Sequence, residues 1–233
     1  MANPSTLTTD SSSKAKPAER VIAYVDGFNL YFGMKASNLR QYFWLDVHKL
    51  AKKLLGPQQV LGATKYFTAR ISGAKAGETG KYAIEKNAKR KRQTTYLDAL
   101  ATIPQIQQFS GKYNDIEVSC NGCGRRWHDQ EEKMTDVSIA TQMLIDAYED
   151  NCDTLILISG DSDLVPPVEK IVTMDKRVIT AFPPSRHSAD LGKVGTGKRQ
   201  IEKGHLKKCQ LPQEIELESG YKLKKPSKWK PSK

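Results

Sequence analysis

The most hydrophobic stretch of the chain, residues 154–159 (TLILIS), is short and ends directly in an acidic turn. A second run, residues 21–25 (VIAYV), has the same character and also ends in an acidic turn. Short apolar runs without polar alternation are typical of strands that are buried on both faces of a parallel sheet. Such a sheet needs helices on both sides, so these two runs predict an α/β fold.

Segments of helical periodicity alternate with the strands. Strands are predicted at residues 21–25, 59–71, 105–118 (with a turn near Gly111), 154–159 and 176–182, and helices at residues 46–55, 81–101, after Met134, and at 164–174. In the helix after Met134, the predicted apolar stripe consists of Val137, Ala140, Leu144, Ala147 and Tyr148. The alternation indicates a three-layer α/β/α fold with a mainly parallel central sheet.

Composition divides the chain into three parts. Residues 1–19 are rich in Ser, Thr, Ala and Pro and are expected to be disordered, residues 20–212 to form one domain, and residues 213–233 to form a Lys-rich tail. The N-terminus lacks the apolar centre of a secretory signal, and no apolar stretch approaches the roughly 20 residues of a membrane-spanning helix. We therefore expect a cytoplasmic protein without a membrane partner.

Carboxylates follow both apolar strands. Asp26 comes directly after the first strand, and Asp161 and Asp163 follow the other. Because the carboxyl ends of parallel strands meet at one edge of a sheet, these side chains should lie close together, and Asp136 can reach them from the start of its helix. Hard oxygen ligands favour Mg²⁺ or Mn²⁺ over zinc. Asn29 would be a neutral neighbour that orients these groups.

Each of these acids also has an ordinary structural explanation. Asp26 before a glycine is a common turn pair, and Asp136 in a first helical turn is favoured by the helix dipole. Asp161 and Asp163 could cap the following helix. The concentration of acids at strand ends is what favours a metal site.

Three segments together resemble the NYN domain family of PIN-like ribonucleases, and specifically its LabA-like bacterial branch. They are residues 21–30 (VIAYVDGFNL), 131–137 (EEKMTDV) and 158–164 (ISGDSDL). The resemblance implies a PIN-like, Rossmannoid α/β/α fold, an acidic metal pocket and hydrolysis of RNA phosphodiester bonds. It also implies that Asp26, Asp136, Asp161 and Asp163 form the catalytic and metal-binding set, with Asn29 beside them.

Basic residues predict where RNA would bind. The net charge is +11, and Lys and Arg collect at residues 75–92 and near the C-terminus. Lys and Arg on a helix can contact the phosphates of single-stranded RNA, although a solvated helix face has the same composition. The candidates are Lys86, Lys89, Arg90 and Arg92 on the helix, with Arg186 and Ser188 in a loop at the presumed active edge.

Cys120 and Cys123, followed by His128, resemble half of a zinc site. A tetrahedral site needs a fourth ligand, which Cys152 or Cys209 would have to supply. The alternative is a tight turn with two reduced thiols.

Three functions remain open at this stage. The first is a metal-dependent endoribonuclease, the second a non-catalytic RNA-binding regulatory module with the same fold, and the third a phosphatase or nucleotide hydrolase. The intact acidic set favours the first, and the basic surface would lack a purpose in the third. A homodimer also remains open.

Overall fold

A seven-stranded sheet forms the centre of the molecule. The computed structural model describes residues 17–230, the side chains of 114–116 and 127–132 excepted. The first seven strands are β1 (Glu19–Asp26), β2 (Gln59–Ala69), β3 (Ile106–Ser119), β4 (Arg126–Lys133), β5 (Thr154–Ile158), β6 (Arg177–Phe182) and β7 (Gly197–Gln200). They are arranged in the order β4-β3-β2-β1-β5-β6-β7, and every neighbouring pair is parallel except β3 and β4.

Helices cover both faces of this sheet, so the predicted three-layer α/β/α architecture is confirmed. The helices are α1 (Gly27–Ala36), α2 (Val47–Lys53), α3 (Gly80–Ala101), α4 (Thr135–Tyr148), α5 (Val165–Val172), α6 (Ala189–Val194) and α7 (Lys203–Lys208). Apolar residues of α1, α2, α3 and α7 contribute to one core cluster, and those of α4, α5 and α6 to the other. Alternate residues of β1 belong to opposite clusters, as expected for a strand buried on both faces.

The predicted turn near Gly111 is wrong, because β3 passes through this residue without interruption. The first half of β3 pairs with β2 as far as Gly111, and the second half pairs with β4 from Lys112 onward. Gly111 therefore marks the point where the strand changes its partner. Glycine weakens strand propensity, which is why the sequence indicated a turn there.

The predicted apolar stripe of α4 is also wrong in part. Val137 and Tyr148 are 70% and 84% exposed, whereas Ile139, Met143 and Ala147 are buried against the sheet. Both sets have helical spacing, so periodicity alone cannot choose between them. The observed orientation places the large side chains of Ile139 and Met143 in the space between α4 and the sheet, where close packing stabilises the helix.

Residues 213–230 fold back onto the domain, which differs from the Lys-rich tail predicted for residues 213–233. Strands β8 (Glu214–Glu216) and β9 (Lys222–Lys224) form an antiparallel pair. Trp229 packs against Phe43, Trp44 and Tyr96 in the first core cluster. The high lysine content concealed the apolar residues that anchor this segment.

None of the helices in the described residues is long and apolar enough to span a bilayer. Disorder was predicted for residues 1–19; Glu19 instead belongs to β1, where it pairs with β2, and residues 1–16 lie outside the described residues.

Candidate metal centre

Three carboxylates meet at the carboxyl edge of the sheet. Asp26 is the last residue of β1, and Asp161 follows the neighbouring parallel strand β5 after two intervening residues. Asp136 reaches the same place from the first turn of α4. One carboxylate oxygen from each residue lies within 4.8 Å of the other two. Among the described residues, this is the only group of three or more His, Cys, Asp or Glu side chains that could share a metal ion.

Asp26 is the most constrained of the three. Its Oδ1 accepts a hydrogen bond from the Asn29 N–H (2.9 Å), which caps the start of α1, and its Oδ2 accepts one from the Ser159 hydroxyl (2.9 Å). Burial raises the pKa of this carboxyl to about 7 against the opposing effect of the two hydrogen bonds, and the charges of Asp136 and Asp161 raise it further. A nearby cation would favour the ionised form.

Asn29 joins the two strand ends. Its side-chain Oδ1 accepts a hydrogen bond from the Gly160 N–H (3.0 Å), and its backbone N–H is the donor to Asp26. The predicted neighbour is thus found beside the acidic set, where it holds the turn after β5. Gly160 has a matching requirement for small size, because a Cβ atom there would lie 2.8 Å from the carbonyl oxygen of Arg186.

Asp163 differs from the other predicted acids. Its side chain is exposed and is not part of the three-carboxylate group. Its backbone N–H donates to Asp161 Oδ1 (3.0 Å), so this turn orients the Asp161 carboxylate. Asp163 therefore lies beside the centre and not within it.

Ser159 is a member of the site that the sequence interpretation missed. Its buried hydroxyl donates to Asp26 and accepts a hydrogen bond from the Asp161 N–H (3.1 Å), so it connects two of the three acids. The signal in the sequence was its position at the end of the most apolar strand, where a buried hydroxyl requires polar partners.

The predicted basic residues of α3 occupy two different faces. Lys89 and Arg92 line a cavity of about 270 Å³ that also includes Gly27, the residue after Asp26. Arg90 instead lines a shallow groove against the β8–β9 segment, and Lys86 forms an ion pair with Glu78 (3.7 Å). Of the four, Lys89 and Arg92 are therefore the two that share a cavity with the start of α1.

The two predicted loop residues have separate roles. The Ser188 hydroxyl accepts a hydrogen bond from the Leu191 N–H (3.2 Å) and caps α6. Arg186 has an exposed side chain, and its backbone packs against Gly160, one residue before Asp161. Arg186 thus supplies a positive charge in the loop that packs against the turn before Asp161.

Cys120 and Cys123 lie in the turn between β3 and β4, far along the hairpin from the carboxylates. Hydrogen bonds from the backbone N–H groups of Cys123 and Gly122 lower the pKa of the Cys120 thiol. The two other cysteines, Cys152 and Cys209, are buried in the two cores. The side chain of His128 lies outside the described residues, so the zinc site stays a prediction.

The comparison with known protein families agrees with the sequence motifs. The NYN domain model matches residues 20–194. A relative from Pseudomonas putida strain S16, 6-hydroxy-3-succinoylpyridine 3-monooxygenase, is 28% identical over 226 residues, which cover 84% of this chain and 71% of that protein. The crystal structure of a protein of unknown function from Vibrio parahaemolyticus covers 82% of this chain and 97% of its own, with 17% identity and a TM-score of 0.49. At that score the structural alignment adds nothing to the topology described above.

Proposed function

Because the chain belongs to the NYN domain family, we propose that it is a metal-dependent ribonuclease that hydrolyses RNA phosphodiester bonds at the carboxylate centre. The single observation that supports this most is the convergence of Asp26, Asp136 and Asp161 at the edge of the sheet. Three carboxylates at this distance repel one another, and a divalent cation would offset that repulsion. The LabA-like branch of the family is part of the same proposal.

The donor set fits Mg²⁺ or Mn²⁺. All three groups are carboxylates, and hard oxygen ligands suit these ions better than they suit zinc. The raised pKa of Asp26 is consistent with such a site, because cation binding near neutral pH would displace its proton to solvent and leave the carboxylate as a ligand. When bound, such an ion would neutralise charge on a phosphate oxygen and lower the pKa of a nucleophilic water.

The residues around the acids would keep them in place during the reaction. Ser159 and Asn29 hold Asp26 by hydrogen bonds to its two oxygens, so its position does not depend on a ligand. Asp163, exposed beside the centre, is the group we assign to accept a proton from the attacking water or to orient it. Arg186, at the same edge, is a suitable contact for a phosphate of the RNA.

The net charge of +11 supports a polyanionic substrate. The alternative within the same fold is a module that binds RNA without cleaving it. An intact acidic set favours catalysis, because a binding module gains nothing from three clustered negative charges facing an anion. Cleavage itself is what distinguishes the two functions.

The test is a single-turnover cleavage assay on labelled single-stranded RNA with excess enzyme, in Mg²⁺, Mn²⁺ or EDTA. Asp161→Asn keeps the side-chain shape and removes one charge, so activity should fall by two or more orders of magnitude, about the cost of losing one positioned electrostatic group. Asp175→Asn is the matched control, because this exposed Asp precedes β6 at the amino end of that strand, away from the carboxylates, and the variant should keep wild-type activity. Circular dichroism would verify folding. Cleavage by wild-type protein in EDTA, or full activity of Asp161→Asn, would refute the proposal.

A second candidate function is oxidation of a small heteroaromatic acid. The Pseudomonas putida relative is named for 3-monooxygenation of 6-hydroxy-3-succinoylpyridine. The observation that favours a similar reaction here is the cavity beside the centre, which has both aromatic and cationic walls. Ring position 3 of that substrate carries the succinoyl group, so oxygenation there would form a ring C–O bond to one atom of O₂ and break the C–C bond to this group, which would leave as succinate semialdehyde. The second oxygen atom would become water, and two reduced nicotinamides would supply the four electrons. Mass spectrometry after incubation with 6-hydroxy-3-succinoylpyridine, NADH, O₂ and divalent metal would detect the hydroxylated product.

A further inference from the structure

The cavity that contains Lys89 and Arg92 opens beside the carboxylate centre. It lies on the face of the sheet covered by α1 and α3, and Gly27 and Tyr66 border both the cavity and the centre. Gly27 permits the start of α1 to pack closely on β2, because a Cβ atom there would lie 2.7 Å from the Tyr66 hydroxyl and 2.6 Å from the Phe67 carbonyl oxygen. A ligand in the cavity would therefore be a direct neighbour of a group bound at the acids.

The walls of the cavity are aromatic and fixed by mutual contacts. Tyr31 packs on Phe43 with ring centres 4.8 Å apart, and Phe43 meets Trp229 edge-on at 5.8 Å. Tyr96 meets Tyr66 edge-on at 6.3 Å, and its hydroxyl donates to the Leu45 carbonyl oxygen (2.8 Å). At about 270 Å³, the space is smaller than the roughly 300–1,000 Å³ of pockets for drug-sized ligands. It suits one planar ring system.

The rim of the cavity is cationic. Lys35, Arg40, Lys89, Arg92 and Lys228 line it, and Glu85 is its one lining carboxylate among the described residues. Glu85 accepts ion pairs from Arg92 (3.1 Å) and Lys228 (2.6 Å). Lys89 has no ion pair within the described part of the chain. An anionic group on the ligand would therefore find Lys89 available, with Lys35 close by.

The side chains that line the cavity offer few groups that would select one base edge over another, because the hydroxyls of Tyr31, Tyr66 and Thr68 can both donate and accept. The amide of Gln93 is engaged on both sides, since its Oε1 accepts from the Ile71 N–H (2.8 Å) and its Nε2 donates to the Ala69 carbonyl oxygen (2.9 Å). Recognition would therefore depend on stacking and apolar contact more than on hydrogen bonds. Stacking accepts every nucleobase, because each has a π-face.

We propose that this cavity is a subsite for one nucleobase of the RNA, with Lys89 contacting the phosphate attached to that nucleotide. The inference rests on the proposed ribonuclease function and adds where the neighbouring nucleotide binds. A nucleotide supplies both a planar ring for the aromatic walls and an anion for Lys89. The position beside the carboxylates places that nucleotide next to the phosphodiester that would be cleaved. The subsite accepts any base, with little sequence preference.

Calorimetric titration in EDTA tests the subsite without requiring cleavage. The probes are AMP, UMP and ribose 5-phosphate, which carries the phosphate without a base. AMP and UMP should bind with affinities within a few-fold of each other, and ribose 5-phosphate at least tenfold more weakly. Lys89→Gln should weaken AMP binding by roughly tenfold, as expected for the loss of a charge-assisted hydrogen bond. Lys86→Gln is the matched control, with the same chemical change on the same helix but away from the cavity.

The result is independent of catalysis, because the titration is carried out in EDTA and measures binding alone. Binding of AMP by a protein that cleaves no RNA would refute the ribonuclease and leave the subsite intact. Equal affinity for AMP and ribose 5-phosphate would overturn the subsite, and so would equal effects of Lys89→Gln and Lys86→Gln. Binding of 6-hydroxynicotinate but not of AMP would also overturn it and would assign the cavity to a small aromatic acid.

Discussion

A buried carboxyl that shares its surroundings with two others has a protonation state set by its neighbours. Asp26 has a pKa raised to about 7, against an ordinary value of 3.8, chiefly because it is buried. Between these two values the folded protein holds a proton that the unfolded chain has already released. The free energy of unfolding of the metal-free protein should therefore decrease as the pH rises through this window.

Replacing Asp26 by Asn removes this dependence. Without metal, Asp26→Asn should be more stable than the wild type at pH 8, by about 1.4 kcal/mol for each pH unit of the window as an upper limit, and similar to it near pH 3.5. Urea unfolding in EDTA at both pH values measures the difference. Added Mg²⁺ should reduce the advantage at pH 8, because the ion stabilises only the carboxylate form. A variant that is less stable than the wild type at pH 8 would contradict this account.

At the level of elements, the sequence predicted what depends on local pattern. The runs that form β1 and β5 were apparent because both faces of these strands are buried, and the acids at their ends could be placed at one edge from strand direction alone. Helix α1 was not predicted, since it begins with a glycine and contains a second one. It forms because Asp26 caps it and its glycines fit against other chain segments.

Other parts of the structure depend on contacts between distant residues, which no local pattern encodes. Strand β4 is almost entirely polar in sequence and exists through its pairing with β3. The aromatic cavity combines residues from Gly27 to Trp229, and Ser159 joins the site through a hydrogen bond across two strands. These features required the three-dimensional structure because their members share no spacing along the chain.

The close packing of the turn after β5 gives a direct test at this scale. Gly160→Ala should destabilise the protein by about 1–3 kcal/mol, because the new methyl group would press on the carbonyl oxygen of Arg186. In α7, a methyl group added at Gly204 would meet no heavy atom within 4 Å, so Gly204→Ala should be neutral or slightly stabilising. Thermal unfolding monitored by circular dichroism compares the two. Equal melting temperatures of the two variants would show that the turn accommodates the methyl group without strain.

At the level of the whole molecule, the segment after residue 212 belongs to the folded unit. Trp229 is 9% exposed and contributes to the same core cluster as α1, α2 and α3. Lys225 is buried as well, and its ammonium group donates to the Gln41 carbonyl oxygen (2.8 Å). The segment thus covers one side of the domain and supplies part of the cavity wall.

Removing the Trp229 side chain should therefore affect the stability of the entire domain. Trp229→Ala should lower the free energy of unfolding by about 3 kcal/mol, the lower end for a buried aromatic residue. Tyr221→Ala in the same segment is the control, because Tyr221 is 64% exposed and its loss should cost less than about 0.5 kcal/mol. Denaturant unfolding followed by far-ultraviolet circular dichroism provides both values. An unchanged midpoint for Trp229→Ala would mean that the segment is not part of the cooperative unit.

The hydrogen bond between Ser159 and Asp26 joins residues 133 positions apart in the chain. Such a link forms only when β1 and β5 pair, and that pairing brings together two strands that are far apart in the sequence. Contacts of long sequence separation make folding slow. The capacity to bind a divalent ion should consequently be acquired late on the folding pathway. Time-resolved metal uptake would then report the formation of the native topology and not the earlier collapse of the chain.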